Sequence, residues 1–96
     1  MALSAFQTAE PPVTASITNT AASVSVAAPA NAEFVRLTTT VLCNVRWGVG
    51  AQTAVATDML VMPNESVIIK LVPSRAYTFA SIGAAGQLSI TEVVPA

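Results

Sequence analysis

From Phe34 to Trp47 the chain reads FVRLTTTVLCNVRW, and its side chains fall into two parities. Val35, Leu37, Thr39, Val41, Cys43, Val45 and Trp47 make one; Arg36, Thr38, Thr40, Leu42, Asn44 and Arg46 make the other. A period of two is the signature of a strand with one face on a core and one on solvent. Glycine, proline and aspartate, the usual turn makers, are absent from the run. A single strand of this length would span about 45 Å, well beyond the usual five or six residues. The pattern therefore predicts two strands, about 34–40 and 42–48, joined near Thr40-Val41, with the odd face on the core and Arg36 and Arg46 sharing the more polar opposite face.

The remainder is punctuated every eight to twelve residues. GVGAQTAVAT at 48–57 has no period and reads as a loop whose glycines permit positive φ. DMLVM at 58–62 reads as a short strand closed by the turn pair Pro63-Asn64. SVIIKLV at 66–72 is apolar on both faces apart from Lys70, as expected of a strand covered by sheet on one side and by something else on the other. Pro73-Ser74 turns the chain, AYTFASI at 76–82 alternates, Gly83-Ala84-Ala85-Gly86 makes a hairpin loop, and QLSITEVV at 87–94 returns. Six to eight short strands with this spacing predict an all-β fold, a small antiparallel β-sandwich or jelly-roll-like barrel over 33–96.

Residues 1–32 are different material, rich in Ala, Thr, Ser and Pro, with one aromatic and one charge. They read as an extended N-terminal arm held by neighbouring subunits, with weak alternation allowing short strands at 14–18 and 22–28. The opening MALSAFQTAEPPVTA lacks the basic region and long apolar run of a secretory signal, and no stretch reaches the roughly 18 apolar residues of a membrane helix.

Composition sharpens this picture. Of 96 residues, 53% are hydrophobic and 9% charged, and the net charge is -1. Soluble domains carry about 25% charged residues. A domain this small buries roughly 60 to 65% of its unfolded surface, so its private core is thin. With almost no repulsion between copies, the expectation is a surface meant to be covered, and a homo-oligomer.

Candidate chemistry is sparse. Without histidine there is no Ser-His or Cys-His nucleophile pair. Asp58, Glu65 and Glu92 are spread over separate turns and strands, so neither a metal site nor an acid/base pair is expected. Cys43 lies on the apolar parity and reads as a small buried hydrophobe. Asn64-Glu65-Ser66 matches a glycosylation sequon but is explained by turn chemistry. Four cations against five acids make a poor polyanion footprint, which argues against nucleic acid as a partner. These readings give no catalytic residue, no cofactor and no metal, and point to a non-enzymatic protein.

The segment from Phe34 onward resembles small virion structural proteins of tailed bacteriophages. The pieces that carry the likeness are Val35-Arg36, Cys43 to Gly48, Ala51 to Thr57, Asp58 to Leu60, Pro63-Asn64, Pro73 and Gly86 to Val93, about two thirds of the chain. They form a β-pattern built from common residues, and the likeness departs at Pro73-Ser74, where Pro-Gly is expected. The resemblance implies a copy-rich virion component assembled in the host cytoplasm, most plausibly a head decoration, or cement, protein. Its partners would be itself, with a trimer plausible, and the major capsid protein, with no membrane involved.

On that reading the arm clamps capsid subunits through Phe6, Pro11, Pro12, Val13 and Ile17, since proline limits the entropy lost on docking and apolar side chains supply burial. Arg36 and Arg46 would orient subunit contacts, arginine being enriched at interfaces. Deletion of residues 1–30 is then expected to leave a folded domain that no longer binds particles. Two alternatives stand beside this: a neck, tail or head-fibre protein, and a carbohydrate- or host-surface-binding β module, which requires Trp47 and Tyr77 to be exposed.

Overall fold

The computed structural model of the protein describes residues 6–8 and 14–95, with side chains from Thr14 to Val94. Nine strands follow one another: β1 (Phe6–Thr8), β2 (Thr14–Asn19), β3 (Val24–Ala27), β4 (Phe34–Thr39), β5 (Cys43–Val49), β6 (Met59–Val61), β7 (Val67–Lys70), β8 (Tyr77–Gly83) and β9 (Gly86–Pro95). No helix occurs among the described residues.

All pairings are antiparallel, and they assemble two sheets. One has the order β1-β9-β4-β7 with β2 also on β9; the other is β3-β8-β5-β6. Strand β1 pairs with residues 93–95 of β9 and β2 with residues 86–91, while β4 takes residues 88–93 on the opposite edge. Strands β1 and β2 therefore lie end to end along one edge of β9. Counted from β2, the first strand pairs with the last, β3 with β8, β4 with β7 and β5 with β6. That is one long hairpin rolled up so that β9 also meets β4 and β8 also meets β5. Eight strands in two sheets connected this way make a jelly roll.

The alternation of the opening ribbon sets the core. Val35, Leu37 and Thr39 of β4 and Cys43 and Val45 of β5 are buried, and the register continues across both sheets with Leu88, Ile90 and Phe79. Trp47 is half-buried and stacks on Phe79, with centroids 6.0 Å apart and planes at 21°. Each large apolar side chain sealed between the sheets contributes roughly 1.5–3 kcal/mol relative to an exposed one, and this thin layer holds the fold together.

The chain reverses between β4 and β5 without a glycine or proline. The Thr39 hydroxyl donates to the Val41 carbonyl at 2.6 Å and accepts the Val41 N–H at 3.2 Å. Thr20 does the same at Ala22, with distances of 2.7 and 3.2 Å. A threonine side chain thus supplies the hydrogen bonds that a backbone turn otherwise makes.

Two expectations are corrected. Residues 14–32 are not an arm beside a sandwich of 33–96, because β2 and β3 are edge strands of the two sheets and Ile17 is 1% exposed in the chain's own core. An edge strand buries one face and needs few large residues, so its apolar signal is thin. The second correction concerns Arg36 and Arg46. Each points outward from its strand, but β4 and β5 belong to different sheets, so the two side chains stand on opposite faces of the sandwich.

Candidate interaction surface

Polar chemistry in the described residues concentrates at one small latch. Asp58 Oδ1 accepts Arg46 Nε–H at 3.1 Å and Nη2–H at 3.0 Å, and Oδ2 accepts the Val55 N–H at 2.8 Å. Asn44 Nδ2 donates to the Asp58 carbonyl at 3.0 Å. The Val55 amide is the largest influence and holds the Asp58 carboxyl below its ordinary value of 3.8; desolvation opposes it, and the hydrogen bond and charge of Arg46 lower it further. This cluster ties the loop before β6 to the outer face of β5. Glu65 and Glu92 lie elsewhere, and among the described residues no group of three Cys, Asp or Glu side chains is placed to hold a metal ion. Cys43 is a buried free thiol within hydrogen-bonding reach of Thr39 Oγ1 at 3.7 Å.

The apolar surface is lopsided. Leu42, Val49, Val55, Met59, Leu60, Met62, Ile68 and Val72 are the exposed large hydrophobic residues among those described. All lie on β5, β6, β7 and the segments that flank them; β2, β3, β8 and β9 contribute none. Leu60 stands opposite Asn44 on the outer face, and Leu42 and Met62 are the next residues beyond the Cys43–Val61 pair. These three side chains are 47%, 50% and 45% exposed for Leu42, Leu60 and Met62. Around the edge, Ile68 stands outward opposite Arg36. Strands β6 and β7 are the free edges of their sheets. A one-sided concentration of apolar side chains at two free edges is the kind of surface that proteins use for association.

A pocket of about 340 Å³ opens at the end of the sandwich where β3 leaves and β8 begins. Residues 27–31 and 74–77 line it, and Asn31 and Ser74 both hold positive φ, 58° and 74°. Side chains in that left-handed region cost roughly 1–2 kcal/mol each relative to a relaxed backbone. The backbone at Ser74 has the conformation glycine favours.

The residues expected to touch partners are not brought together. Pro11, Pro12 and Val13 lie outside the described residues, and Phe6 is placed only as a strand residue whose backbone pairs with Pro95. Ile17 is sealed in the core, Arg46 is engaged by Asp58, and Arg36 makes no ion pair among the described residues. Sequence reasoning missed Leu42, Leu60 and Met62; their signal was Leu42 on the polar parity of its ribbon and the lack of alternation in DMLVM. The two-faced apolar run at 66–72 predicts cover on both faces, but Ile68 and Val72 are exposed on this chain. Trp47 packs on Phe79, and Tyr77 packs against the core with its hydroxyl accepting the Val72 N–H at 3.1 Å. Both rings are part-buried, and a carbohydrate site needs an exposed stacking face. No protein-family model matches the chain, and no curated protein or solved structure matches it.

Proposed function

We propose that this protein is a non-enzymatic structural component of a bacteriophage particle, a head decoration protein that works in many copies. Its apolar side, formed by β5, β6 and β7, is covered in the assembly by neighbouring copies and capsid subunits, and the N-terminal segment that precedes β2 adds a second attachment. The observation that carries this reading is the apolar side itself, on a chain of net charge -1 that opposes close packing of copies hardly at all. Jelly rolls serve in viral capsids and also in lectins, so the architecture is compatible with the role without assigning it.

Particles purified with and without the protein, imaged by cryo-electron microscopy, test the proposal. Decoration predicts density repeated over the shell in register with capsid subunits. A single ring at the neck, or density confined to tail or fibres, transfers the protein to the alternative particle location, and no density on any particle refutes the reading. Removal of residues 1–13 leaves all eight strands of the roll in place and is expected to weaken particle binding by at least about tenfold, the loss of one apolar anchor and its contacts.

A further inference from the structure

The pocket between residues 27–31 and 74–77 has an unusual lining. Alanines and Pro29 supply its apolar lining, and Asn31, Ser74, Arg75 and Tyr77 its polar lining, of which Arg75 alone is charged and can only donate. Tyr77 Oη already accepts the Val72 N–H, which leaves its own proton to donate. No acidic residue lines the pocket, and Arg75 has no carboxylate partner among the described residues. Two loops bearing strained residues, Asn31 and Ser74, converge on one cation. Strain of this kind gathers at ligand clamps. The chemistry that fits is a carboxylate flanked by small, rigid apolar groups, with arginine as its fork-shaped partner.

The chain carries one such group outside its described side chains. Glu10 is the sole charged residue among the first 32, and it stands in Ala9-Glu10-Pro11-Pro12. We infer that the pocket receives Glu10, with Pro11 and Pro12 against the alanine and proline walls, from a second copy of the chain. This rests on the reading of the protein as a self-associating particle component. Strand β1 ends at Thr8 opposite Val93 and strand β2 begins at Thr14 opposite Thr91, so both strands that flank Glu10 in sequence meet β9 at the end of the sandwich where β4 starts and the pocket opens. Donor and pocket are different surfaces of one chain, and two copies can exchange them reciprocally about a two-fold axis or pass them head-to-tail around a ring.

Charge reversal in the full-length chain, read by sedimentation equilibrium with circular dichroism as the check of folding, tests this. Arg75 is exposed, so R75E does not touch the core. Each single variant is expected to associate at least about tenfold more weakly than wild type, because like charges then face one another. The double variant E10R/R75E restores association. An equimolar mixture of the two single variants recovers part of it, since the donor segment of an E10R copy then meets the pocket of an R75E copy with opposite charges. Association that neither reversal weakens, or a double variant no better than the singles, overturns the pocket while the self-association reading stands. Rescue in the double variant with none in the mixture places the contact within one chain and overturns the second-copy assignment. A wild-type protein that stays monomeric overturns both.

Discussion

Asp58 ties the loop to β5: its carboxylate accepts from the Arg46 guanidinium on β5 and from the Val55 amide in the loop, and its backbone carbonyl accepts from the side-chain amide of Asn44, also on β5. Its folded pKa lies below the ordinary carboxylate value of 3.8, with the Val55 hydrogen bond as the first cause. A depressed carboxylate binds protons more weakly in the folded state than in the unfolded one. The stability it contributes is therefore fully present above the unfolded value and is lost as pH falls through the folded one. Wild type and D58N should differ most in urea midpoint well above that unfolded value, near neutral pH, and their midpoints should converge as the solution is acidified through it. A gap that persists unchanged in acid would show that Asp58 acts through its shape and not its charge. Sequence pattern alone puts Asp58 at the start of a strand but not its pairing with Arg46, because an aperiodic loop lies between them and only the hairpin register brings them together. Cys43 is legible as a core residue because its parity is fixed by Val41 and Val45 on the same ribbon.

At the scale of elements, the strands from Phe34 onward are legible to within a few residues at their ends, since each carries alternation or an apolar run bounded by Pro, Asn or Gly. What stays hidden is the membership of β2 and β3. Their residues are mostly Thr, Ser, Ala and Asn with Ile17 as the one large apolar anchor of β2, and nothing in 14–27 says that two existing sheets lack their edge strands. The glycines of the β8–β9 hairpin have a role that turn chemistry does not announce. Gly83 and Gly86 have no positive φ; they permit close approach. A Cβ on Gly83 would lie 2.6 Å from the Leu42 carbonyl oxygen and 2.9 Å from Cys43 Cβ, and one on Gly86 would meet both Val41 methyls at 2.6 and 2.7 Å. The β8–β9 hairpin is thus pressed onto the β4–β5 turn that Thr39 closes. Gly83→Ala is expected to cost about 1–3 kcal/mol, the usual range for overpacking against backbone. The urea midpoint should drop at constant slope, and an unchanged midpoint would mean that the β4–β5 turn moves aside freely.

The whole molecule has two unlike sides. Along the β2–β3 edge the outward residues are Thr14, Ser16, Thr18, Ser25 and Ala27, which sit in water at little cost; along the β6–β7 edge Leu60, Met62, Ile68 and Val72 are exposed, interrupted by Asn64, Glu65, Ser66 and Lys70. A core this thin leaves little stability to spare, yet the chain keeps a cluster of large apolar groups outside it, where they add nothing to the fold of a lone copy. On the proposed reading their contribution lies in association. Leu60 separates the two roles, because it is half exposed and projects away from the sheet interface. Leu60→Glu is expected to change folding stability within about 0.5 kcal/mol, as surface substitutions do. It should weaken self-association by about tenfold or more, since an unpaired carboxylate must then be desolvated in the contact. Ser16→Glu, a charge of the same sign placed on the polar side, should leave the association constant near wild type. Sedimentation equilibrium on the three proteins, with urea midpoints for each, reads both quantities. If Leu60→Glu associates normally but no longer binds particles, the apolar side belongs to the shell contact instead of the contact between copies. If neither property changes, the exposed hydrophobic side chains are not an interface, and the functional reading built on them falls.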